Sequence, residues 1–276
     1  MRGARPPKTS EAKSGHGGLF RLILTFAIIA WVVRSLIIAP FSIPSGSMLP
    51  TLLIGDYVTV AKWSYGYSRF SFPLQFPPFN GRILSNLPER GDVVVFRPPG
   101  AEGQDFVKRV IGLPGDTIEV RGGVPVLNGQ PLRRRQVKPF AMQISANSPC
   151  RAVAGAAPQL SGTGSDRRCL YPACRETLPG GPSFTVFDQI ADGPADDFPA
   201  IRVPDGHLFL MGDNRDDSLD SRFAPVEGGI GFVPLENVVG RALTIFWSTD
   251  GTASYIMPWT WFSALRGSRI GSGFSE

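Results

Sequence analysis

The chain has 276 residues, enough for one or two domains with a real core, and its 26 prolines and 32 glycines favour a turn-rich, mainly β structure over a helical one. Its net charge of +5 comes from scattered basic residues. The one compact run, Arg133-Arg134-Arg135, lacks interleaved aromatics, so nucleic acid is excluded as an expected partner.

Residues 1–18 are polar and basic and read as a disordered tail. Residues 19–39 are almost wholly apolar, interrupted by Arg21 and Arg34, and as a helix they span about 30 Å, the thickness of a bilayer core. A cleaved signal peptide is the alternative, but the apolar core is long and no A-x-A site closes it. Basic residues ahead of the span predict a cytoplasmic N-terminus. Residues 40–276 then form an external domain, which in a bacterium means a periplasmic domain held at the inner membrane by one pass.

The stretch 41–53 sets Ser45 and Ser47 around Gly46, between Pro44 and Pro50, in a turn flanked by apolar residues. Gly55-Asp-Tyr-Val-Thr-Val-Ala-Lys-Trp63 alternates as a strand entered by a Gly-Asp turn. Residues 64–90 mix six Tyr and Phe rings with prolines, which excludes a central strand and suits either ordinary packing or the membrane interface. Strands are predicted at 90–97, 105–112, 117–127, 183–187, 207–211 and 238–247, with a hairpin signal at Asn128-Gly129. Residues 141–183 read as a surface insertion; they hold Cys150, Cys169 and Cys174, which allow one disulfide and one leftover thiol. The cysteine spacing fits no zinc or redox site and only His16 and His207 are present, so no metal or cofactor is expected. Trp259, Trp261, Phe262, Arg266 and Arg269 give the C-terminal region a composition suited to a membrane surface.

A serine needs a base to become a nucleophile. His207 opens an apolar strand, so a Ser47/His207/Asp213 triad is the weaker arrangement. Lysine is the other base, provided that burial lowers a pKa ordinarily about 10.4. Lys108 lies among Phe106, Val107, Val110 and Ile111, and strand alternation sends Arg109 to the opposite face.

Four segments in this order resemble the bacterial type I signal peptidases. They are Pro44-Ser-Gly-Ser-Met-Leu-Pro-Thr-Leu52, Gly55-Asp-Tyr-Val-Thr-Val-Ala-Lys62, Lys108-Arg-Val-Ile-Gly-Leu-Pro-Gly-Asp116 and Met211-Gly-Asp-Asn-Arg-Asp-Asp-Ser-Leu-Asp-Ser-Arg222, with Arg90-Gly-Asp-Val-Val-Val-Phe96 beside them. The resemblance implies antiparallel β-sheets with a barrel-like core behind the anchor. It also implies a serine endopeptidase that removes signal peptides from secretory preproteins after a small-x-small motif. It carries over Ser47 as nucleophile, Lys108 as general base, Ser45 as oxyanion-hole hydroxyl and Ser218 as the group orienting the lysine. Asp220, Arg222 and Arg109 would be supporting ion pairs. Ile43, Met48, Leu52 and Phe106 would surround the P1 pocket, with Phe41, Val58, Val95, Asp105 and Val107 nearer P3. Expected partners are signal peptides and membrane lipid, and the chain is expected to act as a monomer. A peptidase dedicated to one pilin or conjugation substrate, and a silent peptide-binding β-domain, are the rival readings.

Overall fold

The computed structural model describes residues 16–100, 103–153, 159–254 and 256–274; the predicted tail falls, up to residue 15, outside them. Helix α1 (His16–Val32) continues through a wider π turn, Val33–Ile37. Its side chains from Leu19 to Val33 are exposed, so nothing among the described residues covers most of this largely apolar helix. The stretch Gly18–Ile37 is long and apolar enough to cross a membrane. The helix stops two residues short of the predicted end at Ala39. Pro40 has no N–H to continue it and pushes Ala39 into extended backbone.

The chain goes on directly as β1 (Ile38–Ser42), the edge of a seven-stranded sheet. An edge strand tolerates Pro40 because one side of it forms no ladder. The other strands are β2 (Asp56–Ala61), β3 (Val93–Phe96), β4 (Phe106–Gly112), β5 (His207–Met211), β6 (Val233–Pro234) and β7 (Val238–Ser248). Their order is β1-β2-β7-β3-β4-β5-β6, with every pair antiparallel. The sheet curls into a half-barrel. Irregularities in β7 at Ala242/Thr244 and Ile245/Trp247 are the local bends that help it curl. β3 is buried on both faces, which explains its unbroken Val-Val-Val-Phe run. Val95 packs with Met48, Leu52, Val58 and Ile245 on one side, while Val94 and Phe96 pack with Val110, Leu208 and Leu210 on the other.

Past β4 the chain forms a second sheet from Thr117–Arg121, Val124–Leu127, Gln130–Pro131 and Phe198–Arg202. Asn128 (φ 51°) and Gly129 (φ 78°) make its hairpin turn in the left-handed region, as the dipeptide predicts. The stretch 141–183 is built into the body and does more than cover its surface. Phe140–Gln143, Arg168–Tyr171 and Gln159–Ser161 form one sheet; Ala173–Thr177 lies between Arg133–Gln136 and Ser183–Phe187 in another. Cys150 and Cys169 are joined, leaving Cys174 as a buried free thiol. Leu178 and Glu176 are fully buried, and Glu176 accepts from both terminal guanidinium nitrogens of Arg215.

Residues 64–90 contain only a two-strand ribbon, Tyr67–Ser68 with Arg82–Ile83, and short turns. They dock on the end of the anchor: Phe72 meets Trp31 at 6.1 Å between ring centroids, and Tyr67 Oη donates to Leu36 O at 2.9 Å. Near the C-terminus the aromatics are exposed, but the basic residues are not free for a membrane. Arg269 and Arg266 both reach the buried Asp56 carboxylate.

Candidate active site

Ser47 sits in a turn clamped at both ends. Ile43 N donates to Asp56 O (2.8 Å) and Gly55 N donates back to Ile43 O (3.0 Å), closing the loop against β2. Inside it, Leu49 N donates to Gly46 O and Leu52 N to Met48 O, while Met48 and Leu52 anchor the turn in the core. Ser47 is therefore half-exposed on a rigid support. Ser45 is exposed beside it, and its hydroxyl makes no hydrogen bond among the described residues.

Lys108 comes from the middle of β4, opposite Val94 of β3. Its Nζ lies 2.5 Å from Ser47 Oγ, and the residue is 4% exposed. Burial is the main reason its pKa falls from 10.5 to about 8; Asp220, Asp213 and Asp217 oppose the fall and Arg222 adds to it. The amine is thus poised to shed its proton near neutral pH.

The polar turn after β5 supports both groups. Asp220 and Arg222 pair at 2.8 Å, fully out of solvent. Burial alone would raise the Asp220 pKa, but the Arg222 charge, its hydrogen bond and the Gly212 N–H hold it below the ordinary carboxylate value. Arg109, expected in a supporting ion pair, pairs with Asp213 through Nε (2.8 Å) and NH2 (2.7 Å). Strand alternation explains this: Lys108 faces the cleft, and Arg109 faces the opposite side, against Asp213 and the Phe184 ring. Among the described residues the His207 ring bonds only the Asp205 carbonyl, so the alternative triad with Ser47 and Asp213 is not assembled. Ser218 Oγ is buried and has no hydrogen-bond partner among the described residues, the lysine amine included.

A cleft of about 880 Å³ runs along this site. Its walls include Phe41, Ile43, Ser45, Ser47, Met48, Asp105, Phe106, Val107, Lys108 and Ser218. Leu52, Val58 and Val95 are not on its wall. All three are 0% exposed and pack beneath Ile43 and Met48, where they support the wall without meeting a ligand. β5 pairs with β4 only as far as Arg109, so the backbone of residues 106–108 keeps one open edge facing the cleft, as does β1.

Three positioning residues went unremarked in the sequence. Asn214 donates its backbone N–H to Ser47 O and its side-chain amide to Gly46 O, both at 3.1 Å, tying the serine turn to the polar turn. Thr51 Oγ1 donates to Asp213 and accepts from Arg109. Gly212 is required by close approach: a Cβ there would stand 2.3 Å from Ser218 Oγ and 2.5 Å from Ser47 O. Their only sequence signal is membership of the segments that bear chemistry, Thr51 in the serine turn and Gly212 and Asn214 in the polar turn, which carries no partner information.

A family model described as "Signal peptidase, peptidase S26" matches residues 17–247. Signal peptidase I of Rickettsia typhi is 38% identical over 237 residues, covering 83% of this chain and 79% of that one. The enzyme of the same name from Rickettsia canadensis is 36% identical over 232 residues (81% and 77%), and that from Rickettsia felis 34% over 252 residues (88% and 83%). A crystal structure of a signal peptidase I from Enterococcus faecalis, 25% identical, covers 56% of this chain and 95% of its own, but at a TM-score of 0.28 the superposition is too loose to bear on function.

Proposed function

The chain belongs to the S26 signal peptidases, serine peptidases that remove signal peptides, and from that premise we propose that it cuts exported preproteins after a small-x-small motif with a Ser47/Lys108 dyad. The observation that carries the reading is the 2.5 Å contact between Ser47 Oγ and a buried lysine whose pKa is lowered to about 8. With the amine neutral, that hydrogen bond runs from hydroxyl to nitrogen.

Lys108 takes the Ser47 proton as Oγ attacks the scissile carbonyl carbon. The Ser47 N–H and the Ser45 hydroxyl hold the resulting oxyanion. As the C–N bond breaks, the lysine returns its proton to the leaving amine. It then deprotonates a water that attacks the acyl ester, and the ester oxygen leaves as the Ser47 hydroxyl. In this reading Ser218, whose buried hydroxyl has no partner among the described residues, accepts from the ammonium once it forms. Asp220, Arg222 and Arg109 keep the surrounding turn and strand in place.

The substrate enters as an extended strand between the open edges of β1 and residues 106–108, pairing by backbone hydrogen bonds. Ile43, Met48 and Phe106 bound a shallow P1 pocket, and Phe41, Asp105 and Val107 lie nearer P3. Helix α1 anchors the enzyme in the bacterial inner membrane with the N-terminus cytoplasmic and residues 40–276 periplasmic. Cleavage of an A-x-A preprotein by the full chain in detergent tests the dyad. Ser47→Ala and Lys108→Ala are each expected to lose at least about 10³-fold in rate, and parent-like cutting by both would sink it.

A further inference from the structure

Lys62 ends the second of the segments singled out in the sequence, and the proposed reaction gives it no role. It is 4% exposed, its backbone N–H donates to Ile37 O at 3.1 Å, and among the described residues its Nζ donates only to the Ser71 carbonyl. It faces a cavity of about 340 Å³ that Arg34, Arg97, Asp105, Phe70 and Phe72 also line. Among the described residues Asp105 is the one carboxylate on that wall, and Arg97 takes it at 2.8 Å. Among the described residues neither Arg34 nor Lys62 has a carboxylate ion pair, so two cations converge on a cavity short of negative charge. Burial, then the nearby Arg34 charge, lowers the Lys62 pKa to about 8, with Asp105 compensating in part.

The cavity lies where the anchor ends. Arg34 is in the last turn of the apolar span, and the Lys62 backbone is hydrogen-bonded to its final residue. In a bilayer the polar headgroups lie at this level, and an arginine about one turn inside the end of the span reaches them. An anion with several acceptor oxygens would satisfy both cations through charge-assisted hydrogen bonds. We propose that the Arg34/Lys62 cavity binds the phosphate of an anionic glycerophospholipid in the membrane that α1 crosses. Phe41 and Asp105 wall both this cavity and the substrate cleft, so the bound headgroup borders the path by which the peptide enters.

The test is native mass spectrometry of the full-length protein in neutral detergent with added phosphatidylglycerol. It compares the parent with Arg34→Gln and Lys62→Met. Retention of one lipid is expected to weaken about tenfold in each variant. Arg34 is exposed, so its variant remains informative if Lys62→Met fails to fold. Equal retention by the parent and Arg34→Gln overturns the proposal. Displacement of the lipid by inorganic phosphate alone would assign the site to free phosphate, and displacement by a peptide carboxylate would assign it to substrate; either overturns the lipid assignment. The readout needs no turnover and can be repeated on Ser47→Ala, so its failure is distinct from failure of the proposed dyad.

Discussion

Arg109 and Asp213 meet side-on, Nε and NH2 each donating to one carboxylate oxygen at 2.8 and 2.7 Å, with neither side chain more than 1% exposed. Because Arg109 follows Lys108 in β4 and Asp213 follows Gly212 after β5, the pair fixes the lysine strand against the polar turn that also holds Ser47. Removing one partner leaves the other charge buried. Asp213→Ala is therefore expected to cost about 3–5 kcal/mol, read from the denaturant midpoint. An unchanged midpoint would show that the pair does not secure this junction.

The proposed base must be unprotonated, so kcat/KM should rise with pH through about 8 and fall about tenfold per unit below it. Asp217 carries negative charge that favours the protonated lysine. Asp217→Asn removes that help, lowers the Lys108 pKa and should move the rising limb to lower pH. A pH–rate profile on a preprotein substrate checks both; a limb that moves upward contradicts the assignment.

The same lysine makes stability depend on pH. Its folded pKa, about 8, lies below the unfolded value of 10.5, so between those values the unfolded chain binds more protons and stability rises with pH. Below about 8 the fold bears the full cost of burying the ammonium. Lys108→Met is thus expected to be more stable than the parent at pH 7, by up to a few kcal/mol, with the gap closing above pH 10. Thermal melts at the two pH values decide it, and a less stable variant at pH 7 refutes it.

Ile43 is nearly buried and stands on the cleft wall with Met48 and Phe106. If these side chains limit the P1 pocket, Ile43→Ala opens room for a larger group. Cutting after valine relative to alanine should then increase about tenfold, the worth of one or two methylenes in an apolar pocket. Competition between two preproteins differing only at that position measures the ratio; no change would move the pocket elsewhere.

Much of this architecture was legible before any coordinates. The anchor, the buried Val-Val-Val-Phe strand and the Asn128-Gly129 turn each follow from neighbours in the chain, because helix period, strand burial and turn chemistry are local properties. Lys108 could be named as a candidate because its apolar neighbours allow burial, which lowers an amine's pKa, and because it opens one of the ordered segments that carry the family resemblance. The helix end was misjudged by two residues, since apolar composition continues past the point where Pro40 stops the hydrogen bonding.

From sequence alone came the kinds of element, the segments that bear chemistry and the lysine as a candidate base. Only the folded chain decided that Arg109 pairs with Asp213, that Cys150 pairs with Cys169 and that Asn214 holds the serine turn. It also decided that Leu52, Val58 and Val95 lie under the cleft. The physical reason is common to all of these: each contact joins residues from separate parts of the chain, and its partners are chosen by how the strands stack and which face each side chain turns inward.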